Sequence, residues 1–354
     1  MSQGKLVNLS LNEYPEPPVE VLADLIPSVL ATAHLYPNSE LVALSQELAR
    51  FHEISESEIL ITNGATEAIW LLARYAQAVS PKEGSALIPA CTFVAYQMAC
   101  QAAGLPVHRT AMRPDFTIDF EALGRGLTAS TRIVFFANPN NPTGAICAPS
   151  ELAQFLARVP PSVVVVVDQA YRAFASPEAL PDINALRQQH PNLVSLHTFS
   201  KKYGIAGLRL GYMQGEPRLL AQLAQLRGPF STNVLALAAG RRLLAHPELL
   251  ARAVASNHRR RQALAAALTR LGLMVYPSSA NFLMVRFMDS ADSIAKALLN
   301  HRILVLALSD YGLRDCIRIT VGSDEANARL IAALAQILRQ PALAQRALEQ
   351  VAAP

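Results

Sequence analysis

Asp168 closes a run of five valines, Val163 to Val167. Alone, such an Asp reads as a turn or helix cap, because carboxylates often follow strands in that role. At the rim of a buried strand it can also face a cationic ring nitrogen, with the Tyr171 phenol in the same pocket. Lys201 and Lys202 stand side by side before Gly204 and Gly207. Lys201 reads as an ordinary exposed lysine or as a Schiff-base amine, whose pKa a partly desolvated site lowers, and the adjacent Lys202 makes the choice between the two lysines non-trivial. Ser200 and Arg209 flank the pair and offer a hydroxyl and a guanidinium to one phosphate. A helix starting near Ala65 to Glu67 presents free N–H groups that suit the same anion. Asn140-Asn141-Pro142-Thr143-Gly144 has the composition of a tight turn. Each of these groups follows an apolar run, and that shared placement outweighs the turn-only reading.

The apolar runs predict the elements that hold these groups. Ile59–Ile61, Ala86–Ile88, Ile133–Ala137, Val163–Val167, Val194–Thr198 and Leu208–Tyr212 lack polar alternation, as expected of strands covered on both faces. Helical patterns fall between them at Thr66–Ala78, Phe93–Ala103, Pro149–Arg158 and Asp182–His190. The alternation predicts an α/β fold: a three-layer α/β/α arrangement around a mostly parallel sheet. Ligands then sit at the carboxyl ends of the strands. After about residue 248 the pattern changes to one long helix to Leu271, strands at Phe282–Phe287 and Cys316–Val321, and helices from Asp324. That is a smaller α+β unit.

Composition removes other classes. Of 354 residues, 51% are hydrophobic and 16% charged, against about 25% charged in ordinary soluble chains. A disordered chain is excluded, and a large interior or a surface covered by a partner is implied. The net charge of +4 is small. Arg259-Arg260-Arg261, the one basic cluster, reads as a solvated helix face, so no nucleic-acid partner is expected. Cys91, Cys100, Cys147 and Cys316 have neither zinc nor disulfide spacing, which predicts no metal and reduced thiols in a cytoplasmic protein. The uncharged stretch from Gly84 to His108 contains Pro89, Gly104 and Pro106 and reads as buried strand, turn and helix; no membrane partner is expected. The N-terminus has no signal-type apolar run.

Taken together, the sequence resembles the class I/II, fold-type I aminotransferases that use pyridoxal 5′-phosphate, within them the histidinol-phosphate aminotransferase branch. The likeness runs from Leu11-Asn12-Glu13-Tyr14-Pro15 and Leu35-Tyr36-Pro37 through Asn63–Glu67, Asn138–Gly144, Val167–Tyr171, Thr198–Lys201, Gly207–Tyr212 and Ala280-Asn281-Phe282. It ends at Ile317–Gly322. The resemblance implies that Lys201 holds the cofactor as an internal aldimine and carries protons. Asp168 would pair with the ring nitrogen, and Asn141 and Tyr171 with the ring hydroxyl. Phe93 would stack on the ring. Ala65, Thr66, Thr198, Ser200 and Arg209 would hold the phosphate. Tyr36 would reach the partner subunit's cofactor, giving a homodimer with shared active sites. Arg318, Tyr14 and Asn141 would face the substrate. The implied reaction moves an amino group between an amino acid, or an amine like histidinol phosphate, and a 2-oxo acid by a ping-pong cycle. The implied organisation is an arm, 1–35, joining a small domain 251–354, with a large cofactor domain at 36–250.

Two positions depart from the branch. Gln169 follows the ring-pairing Asp where Glu is common. Leu306, in Ile303-Leu304-Val305-Leu306, stands where a second arginine is usual. Its loss removes a charge-assisted contact of roughly 1.5–3 kcal/mol, so a substrate other than histidinol phosphate is expected unless Arg314 compensates. Related decarboxylases of the threonine-phosphate type are the alternative within the same cofactor chemistry. A transcription regulator is disfavoured, because Asn12–Pro15 begins too early to leave room for a DNA-binding domain. A nicotinamide dehydrogenase is disfavoured because Gly204, Gly207 and Gly211 do not form the GxGxxG spacing.

Overall fold

The computed structural model describes residues 5–80 and 82–338. Its strands are β1 (Val7–Asn8), β2 (Ile59–Thr62), β3 (Ser85–Pro89), β4 (Val107–Thr110), β5 (Thr131–Ala137), β6 (Val164–Asp168), β7 (Leu193–Thr198), β8 (Gly211–Gln214), β9 (Met274–Val275), β10 (Phe282–Arg286), β11 (Ile303–Leu304), β12 (Leu306–Ala307) and β13 (Cys316–Thr320). Seven of them form one sheet in the order β2-β8-β7-β6-β5-β3-β4. β8 runs antiparallel to both neighbours, and the remaining pairs are parallel.

The missing polar alternation has a direct cause. Ile133, Phe135, Val164 and Val166 pack into one core, whereas Val134, Phe136, Val165 and Val167 pack into another on the opposite face. Helices Gly64–Val79, Val94–Ala102 and Pro217–Leu226 cover the first face. Helices Phe120–Gly126, Pro149–Arg158 and Ile183–Gln189 cover the second. Each fully buried valine contributes about 1.5–3 kcal/mol, so a strand buried on both sides has no use for polar positions. The uncharged stretch supplies β3 and the helix Val94–Ala102, as expected. No helix among the described residues is long and apolar enough to cross a membrane. All four cysteines are buried and free.

Two expectations are corrected, and one strand is found that the sequence did not announce. The run Leu208–Tyr212 is not a strand from its start. Ala206–Leu208 forms a single 3-10 turn and Arg209 adopts a left-handed φ of 62°, so β8 begins only at Gly211. β4 escaped notice because it is an edge strand whose exposed His108 and Arg109 break the apolar pattern. The basic cluster is not simply a solvated face. Arg260 is buried and meets Glu16 and Asp324, and Arg261 donates to the carbonyls of Phe174 and Ala280.

Beyond the long helix Pro247–Arg270, a second sheet runs β12-β13-β10-β9, all antiparallel, with its own core. The first described strand joins this side. β1 pairs in parallel with β11, and the Leu9 carbonyl accepts the Thr320 N–H at 2.8 Å. Leu25, further along the same arm, packs instead with Leu44 and Leu48 against the large sheet's edge. The arm thus touches both units.

Candidate active site

A cavity of about 450 Å³ opens at the carboxyl ends of the parallel strands, between the two sheets. Its wall includes Ala65, Thr66, Phe93, Asn141, Asp168, Tyr171, Thr198, Ser200, Lys201, Arg209 and Arg318. These residues come from six separate stretches of sequence, and strand polarity is what gathers them.

Asp168 is the last residue of β6 and is buried. Its Oδ2 accepts the Tyr96 hydroxyl at 2.9 Å, and its Oδ1 accepts the Ala170 N–H at 2.9 Å. Burial raises its pKa, and the two donors and Lys201 oppose that rise. Tyr171 receives the Asn12 side-chain N–H on its hydroxyl at 3.0 Å.

The turn after β7 separates the two lysines. Lys201 enters the cavity, and its Nζ donates to the Leu11 carbonyl at 2.9 Å. Lys202 turns the other way and lies over the Tyr203 ring. Burial, reinforced by Arg318 and Arg209, lowers the Lys201 pKa to about 8. Such an amine has a sizeable unprotonated fraction near neutral pH, as a nucleophile or proton carrier requires.

An anion cradle lies at the start of the helix Gly64–Val79. Gly64 has a φ of +73°, and a Cβ there would fall 2.5 Å from the Arg209 Nη2. The positive φ favours glycine there, and a Cβ would push the guanidinium end of Arg209 aside. Arg209 Nη1 donates to the Ala206 carbonyl at 2.8 Å and lies 3.4 Å from the Ser200 hydroxyl. The Ser200 N–H is held by the Thr198 Oγ1 at 3.1 Å. At the far wall Arg318, on β13, is buried. One of its amino groups donates to the Asn141 Oδ1 at 2.6 Å, the other to the Ser10 carbonyl. Its Nε has no partner among the described residues, and burial lowers its pKa.

The donor set fits pyridoxal 5′-phosphate. It offers an amine of lowered pKa, a buried carboxylate for a cationic ring nitrogen, an aromatic side chain and a helix-start cradle with a guanidinium for a phosphate. Arg318, with an orphaned nitrogen, could hold a second anion, that of a substrate.

Two expected residues are not brought in. Tyr14 is half-buried outside the cavity; its ring packs on Gly204 and its hydroxyl bonds to Glu16 at 3.1 Å. The left-handed turn at Asn12 (φ 54°) leaves Leu11, Asn12 and Glu13 in the wall instead. Tyr36 is 73% exposed and stacks on Phe230, ring centres 4.1 Å apart. Gln169 faces away, into a second cavity, and Arg314 is exposed outside the wall. Leu306 pairs across from Arg318 and packs with Met284, Leu308 and Cys316. Sequence reasoning missed Tyr96, and the wall roles of Leu11 and Asn12. Asn12 lay within a motif already noted, whereas Tyr96 sits inside a helix with nothing to mark it.

The family described as "Aminotransferase class I and II" matches residues 4–334. The chain is 37% identical over 344 residues to histidinol-phosphate aminotransferase 2 of Ralstonia nicotianae, covering 96% of this chain and 91% of that one. Among solved structures, a histidinol-phosphate aminotransferase of Sinorhizobium meliloti in complex with pyridoxal 5′-phosphate superposes with a TM-score of 0.83. It shares 26% identity and covers 95% and 91% of the two chains. An L-threonine-O-3-phosphate decarboxylase of Porphyromonas gingivalis gives a TM-score of 0.82 at 27% identity, with 95% and 100% covered. With the fold and this cavity in place, the chain belongs to the class I and II aminotransferases and works with pyridoxal 5′-phosphate.

Proposed function

We propose that this aminotransferase moves an amino group from histidinol phosphate, or a closely similar phosphorylated amine, to a 2-oxo acid, in two ping-pong half-reactions. The observation that carries the proposal is the buried Arg318, opposite the cradle of Arg209 and Ser200, so that one cavity has separate places for two anions. The Ralstonia relative's activity supports the choice of substrate. The expectation against histidinol phosphate rested on Leu306. That residue lies outside the cavity wall, so its apolar character weighs little against Arg318.

The proposed roles are supported by the side chains that line the cavity. When bound, the cofactor supplies a pyridinium ring that withdraws electrons from the substrate carbon. Lys201 Nζ takes the proton from the substrate Cα and returns one on the other side of the exchange. Asp168, oriented by Tyr96 and Ala170, holds the ring-nitrogen proton. Tyr171 and Asn141 orient the ring oxygen, and Phe93 covers its face. Ala65, Thr66, Thr198, Ser200 and Arg209 bind the phosphate. Arg318 anchors the substrate anion, and Leu11 to Glu13 limit water access from the arm side. Tyr14 would approach only through a movement of the arm. The proposal includes a cytoplasmic homodimer in which Tyr36 reaches the other subunit's cofactor. It keeps an arm at 1–35, a large domain at 36–250 and a small one at 251–354.

The test compares histidinol phosphate, threonine phosphate, aromatic and aliphatic amino acids as donors to 2-oxoglutarate, with carbon dioxide release measured in parallel. Histidinol phosphate is expected to give the highest kcat/KM, with no carbon dioxide. A better non-phosphorylated donor would overturn the substrate, and stoichiometric carbon dioxide would overturn the reaction. Lys201→Ala is expected to abolish turnover; retained turnover would remove Lys201 from its role.

A further inference from the structure

A second cavity, of about 300 Å³, lies behind the first and shares Ala170 and Thr198 as a partition. His52, Arg172, His197, Lys202 and Gln214 face it. Nothing in the aminotransferase chemistry above uses it.

Its donors lack acceptors. Gln214, at the end of β8, is only 1% exposed, and its Nε2 has no hydrogen-bond partner among the described residues. Its Oε1 accepts the Ser195 hydroxyl at 3.2 Å, that hydroxyl also lies 3.0 Å from His197 Nε2, and the His197 ring interacts with the same amide, which leaves Nε2 as the amide atom without an acceptor. Buried donors are seldom left in that state without a ligand or water to meet them. Lys202 Nζ has no hydrogen-bond acceptor or carboxylate partner among the described residues; its contact is the Tyr203 face, 4.9 Å from the ring centre. Arg172 spends Nη1 on the Pro181 carbonyl at 3.1 Å.

The charges around these donors converge. Burial lowers the pKa of Lys202, His52 and His197; Arg172 adds to the shift of each, and Lys202 adds to that of the two histidines. Arg187 adds to the field at His52 but is paired with Glu58 at 2.7 Å. One carboxylate, Asp182, stands in the wall, and it caps the Ala185 N–H at 3.1 Å. Two cations and an unpaired amide donor thus surround a space that an oxyanion would satisfy.

We propose that this rear cavity binds a small oxyanion, either inorganic phosphate or the phosphate head of a monoester. The site is separate from the cofactor cradle and from Arg318. Its partition carries Thr198, so occupancy would stiffen the segment that presents Ser200 and Lys201.

The experiment titrates inorganic phosphate, and separately glycerol phosphate, into holoenzyme followed by phosphorus NMR and calorimetry. In holoenzyme the cofactor's own phosphate fills the Arg209 cradle. Arg318→Met removes the substrate anion site as a competitor. Saturable binding is expected in the wild type and in Arg318→Met. It should weaken about tenfold or more in Lys202→Met and several-fold in Gln214→Leu, with cofactor absorbance unchanged as a folding control. If Lys202→Met fails to fold, Gln214→Leu decides. Binding of glycerol phosphate alone with this variant pattern identifies the monoester as the source and supports the proposal. No saturable binding of either anion, equal binding in both cavity variants, or loss only in Arg318→Met overturns it. The last outcome would leave the aminotransferase reading intact, because that reading assigns an anion to Arg318.

Discussion

In the roles proposed for them, Asp168 and Lys201 depend on the neighbours that hold them. The Tyr96 hydroxyl donates to Asp168 within a fully buried stack on Phe135. This bond lowers the Asp168 pKa against the pull of burial. Tyr96→Phe keeps the ring and removes the donor. A hydrogen bond to a charged group is worth about 1.5–3 kcal/mol, so cofactor affinity should fall roughly tenfold or more while the fold persists. Unchanged affinity in a fluorescence titration would show that Tyr96 is packing alone. His52 makes a pH prediction at the same scale. Burial lowers its pKa from 6.5 to about 4. Between those values the unfolded chain binds a proton that the folded chain refuses, so stability falls as pH drops from 6.5 towards 4. His52→Gln should lose less melting temperature between pH 7 and pH 5 than the wild type. An equal loss in both would assign the acid limb elsewhere, with His197 the next group to examine.

At the scale of elements, the site rests on turns that few residue types can make. Gly64 starts its helix in a left-handed conformation directly under Arg209. Gly64→Ala costs roughly 1–2 kcal/mol in backbone strain and displaces the guanidinium. Weaker cofactor binding with near-normal secondary structure is the expected result, read by absorbance and circular dichroism; unaltered binding would mean the cradle does not depend on Arg209's present path. These elements were legible in the sequence to different degrees. Val163–Val167 announced a strand because both its faces are core, and Asp168 was therefore placed at a rim. The Thr198–Lys201 resemblance selects Lys201 over Lys202; the residue types alone leave the pair open, since which of them enters the cavity depends on how one turn leaves β7. β8 began late because Arg209 needs its left-handed turn, and Tyr96 was hidden because a helix interior carries no local sign of what its side chain meets.

For the whole molecule, the exposed Tyr36 and its Phe230 partner sit away from the chain's own cavity. In the proposed dimer, a Lys201→Ala chain still offers an intact Tyr36, and a Tyr36→Ala chain still offers an intact Lys201. Mixing the two variants under subunit exchange should give more activity than either alone. No gain after verified exchange would argue that each site is complete within one chain. The fold type was readable from strand–helix alternation, whereas the arm's divided loyalty was not: Leu9 packs with the small unit's core and Leu25 with the large one's, and neither contact is local in sequence.

That arm sets a timetable. All seven strands of the large sheet lie between residues 59 and 214 and can pair while the ribosome is still adding the rest. β1 must wait for β11, almost the whole chain later. Until Ile303 and Leu304 emerge, the first strand has no mate and its apolar neighbour Leu9 no core. Contacts of such long separation form late and slowly. The strand Val7–Asn8 is therefore among the last of the described elements to be put in place.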